Sequence, residues 1–162
     1  MSEVIKVGMA DLKTCVSPDG LTTLGLGSCV GVALRDPVTK IGGLAHVMLP
    51  DSKAISGPTV NVAKFADTGI EECVRQMEAL GAKRNRMTAK IAGGATMFAT
   101  QGKSDLVKVG ERNVEATKKK LAELKIPILA EDTGANYGRT VIFYPETGEY
   151  TIRAVGKGQT VI

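Results

Sequence analysis

Short apolar stretches with strand character recur along the chain. After Val4 to Val7, three more, at Thr22 to Leu26, Val30 to Arg35 and Gly43 to Leu49, follow one another closely and are separated by residues typical of turns. Because short connections join neighbouring antiparallel strands, we predict three adjacent strands here. Further strands are predicted at Thr88 to Ala92, Ile126 to Ala130, Thr140 to Tyr144 and Tyr150 to Ala154. The Pro145-Glu146-Thr147-Gly148 turn predicts that the last two form a hairpin.

Two stretches have the apolar spacing of amphipathic helices. The first follows a polar loop, Pro50 to Pro58, and runs from about Asn61 to Leu80, with Gly81 as its stop. The second runs from about Glu111 to Leu124 and is closed by Pro127. In the first helix, the residues predicted to face the core are Val62, Phe65, Ala66, Cys73, Val74, Met77 and Leu80. In the second helix, they are Val114, Thr117, Leu121 and Leu124.

These elements predict a single domain over residues 1–162. Two amphipathic helices with roughly seven strands indicate an α+β fold, a layered sandwich of mixed or antiparallel β-sheet covered by the helices. A chain of 162 residues is long enough for one domain with a substantial core. No internal repeat or linker-like segment divides it.

Composition narrows the classes of protein further. Hydrophobic residues at 43% and charged residues at 23% are typical of soluble globular proteins. A net charge of +4 with only 4% aromatic residues and no Trp is weak support for nucleic-acid binding. No signal peptide or membrane span is recognisable, so we predict a cytoplasmic protein.

The cysteines and the single histidine limit which metal sites the chain could form. The three cysteines, Cys15, Cys29 and Cys73, contain no Cys-x-x-Cys pair, and His46 is the only histidine. This set predicts neither a disulfide framework nor a zinc site, and no cofactor is predicted.

Cys29 and His46 are the residues best suited to catalysis. His46 is the only side chain whose ordinary pKa lies near neutral pH, and Cys29 stands 17 residues before it in a glycine-rich bend. A thiol and an imidazole are the minimal parts for nucleophilic attack on a carbonyl. The alternatives are that Cys29 is a small buried apolar residue, as Cys73 is predicted to be, and that His46 is a core histidine with a backbone partner.

A catalytic imidazole also needs a group that fixes its orientation. No Asp or Glu lies between Thr22 and Arg35, which leaves Thr22 and Thr23 as the nearby polar candidates. In an extended strand, Thr23 and Cys29 would be roughly 20 Å apart. If Thr23 orients His46, the chain must therefore turn within Gly25-Leu26-Gly27-Ser28.

Two long motifs resemble one family. Thr23-Leu-Gly-Leu-Gly-Ser-Cys29, followed by Ala45-His46-Val-Met-Leu-Pro50-Asp51-Ser52, is similar to the CheD family, the chemoreceptor glutamine deamidases of bacterial chemotaxis. The resemblance extends over nearly the whole chain. It includes Phe65-Ala-Asp67-Thr68, Lys90-Ile-Ala-Gly-Gly-Ala95, Met97-Phe98, Arg112-Asn113 and Ala130-Glu-Asp-Thr-Gly134.

The resemblance implies a cysteine hydrolase with a Cys–His–Thr triad, in which Cys29 is the nucleophile, His46 the base and Thr23 the orienting residue. It also implies a layered fold like the catalytic domain of certain deamidating toxins. The substrates would be glutamines on the cytoplasmic helices of methyl-accepting chemotaxis receptors, and the regulatory partner the phosphatase CheC. Because the substrate is a helical surface, we expect a shallow, accessible site.

The tight bend supplies candidates for binding the oxyanion. Backbone N–H groups around Gly27 and Ser28 are expected to stabilise a tetrahedral intermediate. Hydrolysis of glutamate methyl esters passes through a similar intermediate and is a possible second activity. Two other classes stay open: a protein that chiefly binds and regulates CheC, and a generic cysteine esterase or peptidase.

Three other segments have simpler interpretations. Ala92-Gly93-Gly94-Ala95 lacks the Gly-Lys-Ser/Thr ending of a phosphate loop, so we predict a tight turn near the rim of the active site. Met97-Phe98 is predicted to be core. Asp132 to Gly138 is predicted to be a loop that could contact substrate.

Overall fold

The computed structural model describes residues 2–52, 61–96 and 108–162 and has an α+β fold of three layers. The strands in these ranges are β1 (Val4–Val7), β2 (Leu12–Val16), β3 (Gly20–Leu26), β4 (Val30–Asp36), β5 (Ile41–Val47), β6 (Thr88–Gly93), β7 (Ile128–Thr133), β8 (Arg139–Tyr144), β9 (Glu149–Ala154) and β10 (Gly158–Val161). The helices are α1 (Ala66–Leu80) and α2 (Val109–Glu123), with single 3-10 turns at Val62–Lys64 and Arg84–Arg86. None of these helices has the length and apolar character needed to cross a membrane.

The strands form two five-stranded sheets that pack face to face. The first sheet has the order β1-β3-β8-β9-β10 and the second β2-β5-β4-β6-β7. Both are mixed, because β1–β3 and β6–β7 are parallel pairs while the other pairs are antiparallel. The two helices cover the outer face of the second sheet. The prediction of a layered α+β sandwich is confirmed, whereas the likeness to toxin domains stays a prediction.

The second sheet is buried on both faces, and its strand β5, which lies beside the central strand β4, is buried at every position. Alternate β5 residues divide between the layers: Ala45 and Val47 join the core under the helices, and Leu44 joins the core between the sheets. A Cβ atom at Gly43 would overlap Cys73 of α1. Glycine at this position therefore allows the helix to approach the strand closely.

Helix α1 begins five residues later than predicted, at Ala66 rather than Asn61. Phe65 is extended and forms a bridge with Leu49, and the N–H of Ala66 donates to the Leu49 carbonyl at 2.9 Å. Because this backbone bonds to the end of β5, it cannot join the helix. Val62 and Leu80, which were predicted to face inward, are exposed.

Two strands were not predicted. In β2 the buried residues Leu12 and Cys15 belong to opposite faces of the sheet, so the strand has no alternating pattern. All four residues of β10 are exposed, and the strand exists through its pairing with β9.

The prediction that β3, β4 and β5 are adjacent is correct only for β4 and β5. Strand β3 lies in the other sheet, between β1 and β8. The chain crosses between the sheets at residues 27–29. Smaller differences concern α2, which begins at Val109, and β7, which begins at Ile128 and includes Asp132 and Thr133 of the predicted loop. The hairpin of β8 and β9 is confirmed.

The turn between β4 and β5 is fixed by a buried carboxylate. Asp36 is fully buried and accepts hydrogen bonds from the Arg86 guanidinium, at 2.8 Å from Nη2, and from the backbone N–H groups of Val38 and Lys83. Although burial opposes ionisation, these donors hold the pKa of Asp36 well below its usual range. The ionised side chain thus joins the turn to the segment before β6.

We expect Asp36→Ala to lower the free energy of unfolding by about 3 kcal/mol at neutral pH. This value is at the lower end of the range for breaking a buried ion pair, because Arg86 is partly exposed. The contribution of Asp36 is present above the ordinary Asp pKa and is lost as pH falls through its lowered folded value. Urea unfolding measures the change. Lys40→Ala, which breaks an exposed pair with Glu146, is the control and should cost no more than about 1 kcal/mol. Equal losses in the two variants would contradict this account.

Candidate active site

Cys29 and His46 come from neighbouring strands of the second sheet. Cys29 immediately precedes β4, and His46 is the sixth residue of β5. In the ladder between these strands Gly31 lies opposite His46. Cys29 is two residues before Gly31, so its side chain lies on the same face of the sheet as that of His46, and the two residues are diagonal neighbours across the ladder. This face points toward the first sheet.

Thr23 reaches the imidazole from the opposite sheet. Its hydroxyl oxygen lies 2.7 Å from His46 Nδ1 and also 2.7 Å from the backbone carbonyl of Val7 on β1. The hydroxyl has a single proton, which it donates to that carbonyl, so it accepts the Nδ1 proton of His46. The neutral imidazole is therefore protonated at Nδ1, and Nε2 carries the lone pair.

The Nε2 atom is buried and has no hydrogen-bond partner within the described ranges. Cys29 Sγ therefore makes no hydrogen bond to it in this conformation. Such bonds are often long before substrate binds, so the arrangement is compatible with a catalytic pair. Nε2 is the nitrogen that is free to take a proton.

Burial governs the charge of both side chains. His46 is 0% exposed and Cys29 only 7% exposed. Burial lowers the pKa of His46. Burial also raises the pKa of the Cys29 thiol, and this outweighs the opposite, smaller effect of a hydrogen bond from the N–H of Cys29. The resting pair is therefore a neutral thiol and a neutral imidazole, not an ion pair. The site is also less open than the expected shallow site.

The chain makes the turn that contact between Thr23 and His46 requires. The register between β3 and β8 shifts between Thr23 and Leu26, and Gly25 adopts a left-handed conformation with φ of 69°. The N–H of Gly27 then donates to the Gly25 carbonyl at 3.0 Å. This bend brings the chain from β3 in one sheet to Cys29 in the other.

The Gly93-Gly94 turn holds the far side of this bend. The N–H of Gly94 donates to the Cys29 carbonyl at 2.8 Å, and that of Ala95 to the Gly27 carbonyl at 2.9 Å. Gly93 has φ of 108°, and a Cβ atom there would overlap the Cys29 carbonyl oxygen. Both glycines have a positive φ, so the backbone changes direction at the predicted turn, directly beside Cys29. Among the described residues, no backbone carbonyl accepts the N–H of Ser28 or Cys29.

Asn113 of α2 also contacts the bend. The Arg112-Asn113 pair belongs to the resemblance, but no role was predicted for Asn113 from the sequence. Its side chain is fully buried, and Nδ2 donates to the carbonyls of Ser28 at 2.9 Å and Met48 at 3.0 Å. The available signal was its position four residues before Thr117, on the inward face of the helix. A buried amide at that place needs hydrogen-bond partners in the sheet.

The glycine-rich loop after β7 lies against the Gly93-Gly94 turn. The N–H of Gly134 donates to the Gly93 carbonyl at 3.0 Å, and that of Thr96 to the Ala135 carbonyl at 2.9 Å. The loop is thus close to the turn that holds Cys29, and its contact with substrate stays a prediction. Met97 and Phe98, which were predicted to be core, lie outside the described residues.

Comparisons with known proteins identify the family. The family model "CheD chemotactic sensory transduction" matches residues 48–154. A protein of Lachnoclostridium phytofermentans named "Probable chemoreceptor glutamine deamidase CheD" is 60% identical over 162 residues, with both chains fully covered. The chain belongs to the CheD family. The "Chemoreceptor glutamine deamidase CheD" of Halalkalibacterium halodurans is 52% identical over 162 residues, again with full coverage of both chains.

The two kinds of match cover different parts of the chain. The CheD family model begins after Thr23, Cys29 and His46, whereas the full-length CheD relatives span all three. A solved structure, the hypothetical protein YfiH of Bacillus licheniformis, is 19% identical with a TM-score of 0.42, covering 72% of this chain and 51% of that one. Membership of the CheD family confirms the resemblance found in the sequence.

The hydrogen bonds of Thr23 predict a specific tautomer that NMR can observe. We expect the ¹⁵N shifts of the imidazole to show a protonated Nδ1 and an unprotonated Nε2 near neutral pH, with a pKa below the ordinary His value of about 6.5. His46 is the only histidine, so its signals need no assignment by mutation. Thr23→Val should weaken the preference for the Nδ1–H form, and Thr22→Val should not. A dominant Nε2–H form in the wild type would contradict the arrangement.

Proposed function

We propose that this protein is a cysteine-dependent deamidase that converts specific glutamine side chains of methyl-accepting chemotaxis receptors to glutamate. Two full-length relatives bear the name of chemoreceptor glutamine deamidase. The observation that carries the proposal is the Thr23–His46 hydrogen bond. It leaves the other imidazole nitrogen unprotonated, on the sheet face that also bears Cys29.

In the first half of the reaction, His46 Nε2 takes the proton of the Cys29 thiol. The sulfur attacks the carbonyl carbon of the glutamine carboxamide and forms a tetrahedral intermediate with a negatively charged oxygen. Because the resting pair is neutral, proton transfer and attack are coupled, and His46 acts as a general base.

The bend that contains Gly27 and Ser28 is the proposed binding site for the oxyanion. The N–H of Gly27, which was predicted to contribute, is bonded to the Gly25 carbonyl and is therefore not a donor. The N–H groups of Ser28 and Cys29 make no bond to a backbone carbonyl of the described residues, and that of Cys29 acts on its own sulfur, so we propose these two as the donors beside the attacking atom. The Gly93-Gly94 turn and Asn113 hold the carbonyls of this bend, which keeps its N–H groups fixed before substrate binds.

In the second half, the His46 imidazolium gives its proton to the leaving nitrogen, and ammonia departs from a thioester on Cys29. Water, deprotonated by His46, then attacks the thioester carbonyl. The second tetrahedral intermediate expels the sulfur, which takes the water-derived proton back from His46 and restores the thiol. The new carboxylic acid gives its remaining proton to the released ammonia, so the products are glutamate and ammonium. A glutamate methyl ester would pass through the same thioester with methanol as the leaving group, and we propose it as a second substrate.

Thr23 takes the place that a carboxylate has in many triads. Its hydroxyl fixes the ring of His46 but carries no charge, so it stabilises the imidazolium less than an Asp would. The lowered pKa of His46 fits this arrangement, because no neighbouring anion opposes the effect of burial. The proposed base therefore stays neutral to lower pH than an ordinary histidine.

The substrate must approach from the side of Cys29. Thr23 and His46 are fully buried between the sheets, and only Cys29 retains some exposure. A glutamine on a receptor helix can extend its carboxamide toward the sulfur while the helix stays outside. We place this reaction in the cytoplasm, where the receptor helices that carry the glutamines lie.

We also propose the phosphatase CheC as a binding partner, on the basis of the family resemblance. A protein that only regulates CheC would not need the free Nε2 atom beside Cys29, which favours the enzyme. The two roles are separable by substitution, because binding of a partner does not require the thiol.

We expect Cys29→Ala and His46→Ala to lower the rate of deamidation by at least about a thousandfold, because each removes a group that bonds to or exchanges protons with the substrate. The measurement is intact mass spectrometry of a purified receptor cytoplasmic fragment, which reports the mass gain of deamidation at mapped glutamines. Cys73→Ala, which removes a thiol from the core under α1, is the control and should retain activity.

Each other outcome of this experiment has a distinct meaning. Cleavage of the receptor backbone by the wild type indicates a peptidase. No mass change, together with binding of CheC by both the wild type and Cys29→Ala, indicates a regulator. Either result overturns the deamidase proposal.

The pH dependence of kcat/KM should reflect the buried base. The reaction needs neutral His46, so activity is lost as pH falls through the pKa of that residue, which burial lowers. We therefore expect the acid limb of the profile below the ordinary His value of about 6.5. An acid limb at or above that value would show that the base is solvated or stabilised by an anion, contrary to the proposed arrangement.

A further inference from the structure

Asn113 connects the two segments that carry the candidate nucleophile and base. Its amide nitrogen has two protons, and each goes to a backbone carbonyl: that of Ser28, at 2.9 Å, and that of Met48, at 3.0 Å. Ser28 directly precedes Cys29, and Met48 is two residues after His46. One side chain of α2 thus fixes both segments relative to each other.

The bond to Ser28 determines the direction of a catalytically placed N–H group. The Ser28 carbonyl and the Cys29 N–H belong to the same planar trans peptide, so they point in opposite directions. Because Asn113 holds the carbonyl toward α2, the Cys29 N–H is directed away from the helix. The Gly94 N–H holds the next carbonyl, that of Cys29, at 2.8 Å. With both adjoining peptides fixed, the Cα–Cβ bond of Cys29 has one direction.

The orientation of the Asn113 amide is itself determined. The opposite orientation would place Oδ1 against two carbonyl oxygens, with no proton between them. In the observed orientation Oδ1 is buried and has no partner within the described ranges. A buried unpaired oxygen is unfavourable, and an apolar side chain of similar size would avoid it. What the buried amide contributes at this position is therefore its two donated hydrogen bonds.

We propose that Asn113 is a positioning residue, which fixes the Ser28–Cys29 peptide against the end of β5 and so sets the thiol and the oxyanion donors relative to His46. The catalytic consequence rests on the proposed deamidase function. The effect on the thiol itself does not depend on that function, and this difference allows the two to be tested separately.

A purely structural role is the alternative, in which Asn113 only attaches α2 to the sheet. Thr117 provides a matched control because it lies one turn further along the same helix and is equally buried. Its hydroxyl has no partner among the described residues, and it makes no bond to the bend. Thr117→Val thus changes a buried polar side chain of α2 without touching the site.

The test compares Asn113→Leu, Asn113→Ser and Thr117→Val with the wild type in three measurements. Urea unfolding establishes that each variant is folded. Deamidation of the receptor fragment gives kcat and KM. The pH dependence of alkylation by iodoacetamide reports the Cys29 thiol directly. Cleavage of the alkylated chain before Asp residues separates Cys29 from Cys15 at Asp19 and leaves Cys73 in a third peptide, so mass spectrometry assigns the label to each cysteine.

We expect Asn113→Leu to lower kcat by about tenfold or more with KM changed by less than about twofold, since misplaced reacting groups slow the chemical step. Alkylation of Cys29 should become slower at neutral pH and its midpoint should move to higher pH, because the Cys29 N–H no longer points reliably toward the sulfur. Thr117→Val should leave kcat, KM and the pH dependence of Cys29 alkylation unchanged. If Asn113→Leu does not fold, the smaller Asn113→Ser takes its place with the same expectation.

The proposal is overturned if a folded Asn113 variant retains the wild-type alkylation profile, or if Thr117→Val alters kcat and alkylation as strongly. Failure of the deamidase function has a different signature. The wild type then shows no mass gain on the receptor fragment, while the alkylation profiles still decide whether Asn113 positions the thiol.

Discussion

The second sheet has both of its faces buried, and this constraint governs how the polar groups of the site are arranged. His46 lies in a strand with no exposed residue, so its ring must find partners inside the protein. Thr23 supplies one from the facing sheet, and the Thr23 hydroxyl in turn donates to Val7. A chain of two hydrogen bonds therefore joins the sheets and fixes the imidazole tautomer. The remaining ring nitrogen has no such partner, and it is the one suited to act as a base.

Burial without a neighbouring carboxylate gives this site its electrostatic character. In an apolar setting the charged forms of both Cys29 and His46 are disfavoured, so the pair rests neutral. A neutral thiol is a poor nucleophile and is protected from adventitious chemistry. In the proposed reaction, activation depends on proton transfer when the substrate arrives and on the proposed N–H donors for the oxyanion.

Contacts to its neighbouring backbone, and not the side chains of Thr23 and His46, hold the candidate nucleophile. Gly25 turns the chain out of β3, the Gly94 N–H fixes the Cys29 carbonyl, and Asn113 fixes the Ser28 carbonyl. Glycine is needed at Gly93 because its backbone has a positive φ and lies directly against the Cys29 carbonyl. The bend is thus defined by the close approach of a turn and a helix that are distant in sequence.

The sequence by itself determined the features that local patterns encode. The α1 core face around Cys73 and Met77, the β8–β9 hairpin, the need for a turn near Gly25 and the pairing of motifs around Cys29 and His46 were all predictable. Residue order fixes which side chains share a face and where the backbone can turn.

Tertiary structure decided which elements are neighbours. Strand β3 lies in the other sheet, and the backbone before Ala66 bonds to the end of β5 and so cannot start the helix. Strand β10 exists through pairing alone, and Asn113 and Asp36 gained their roles from partners far along the chain. A hydrophobic pattern indicates that a face is buried but not which element covers it, because the hydrophobic effect has no preferred direction. The hydrogen-bond partners of buried polar groups are fixed only when the layers pack.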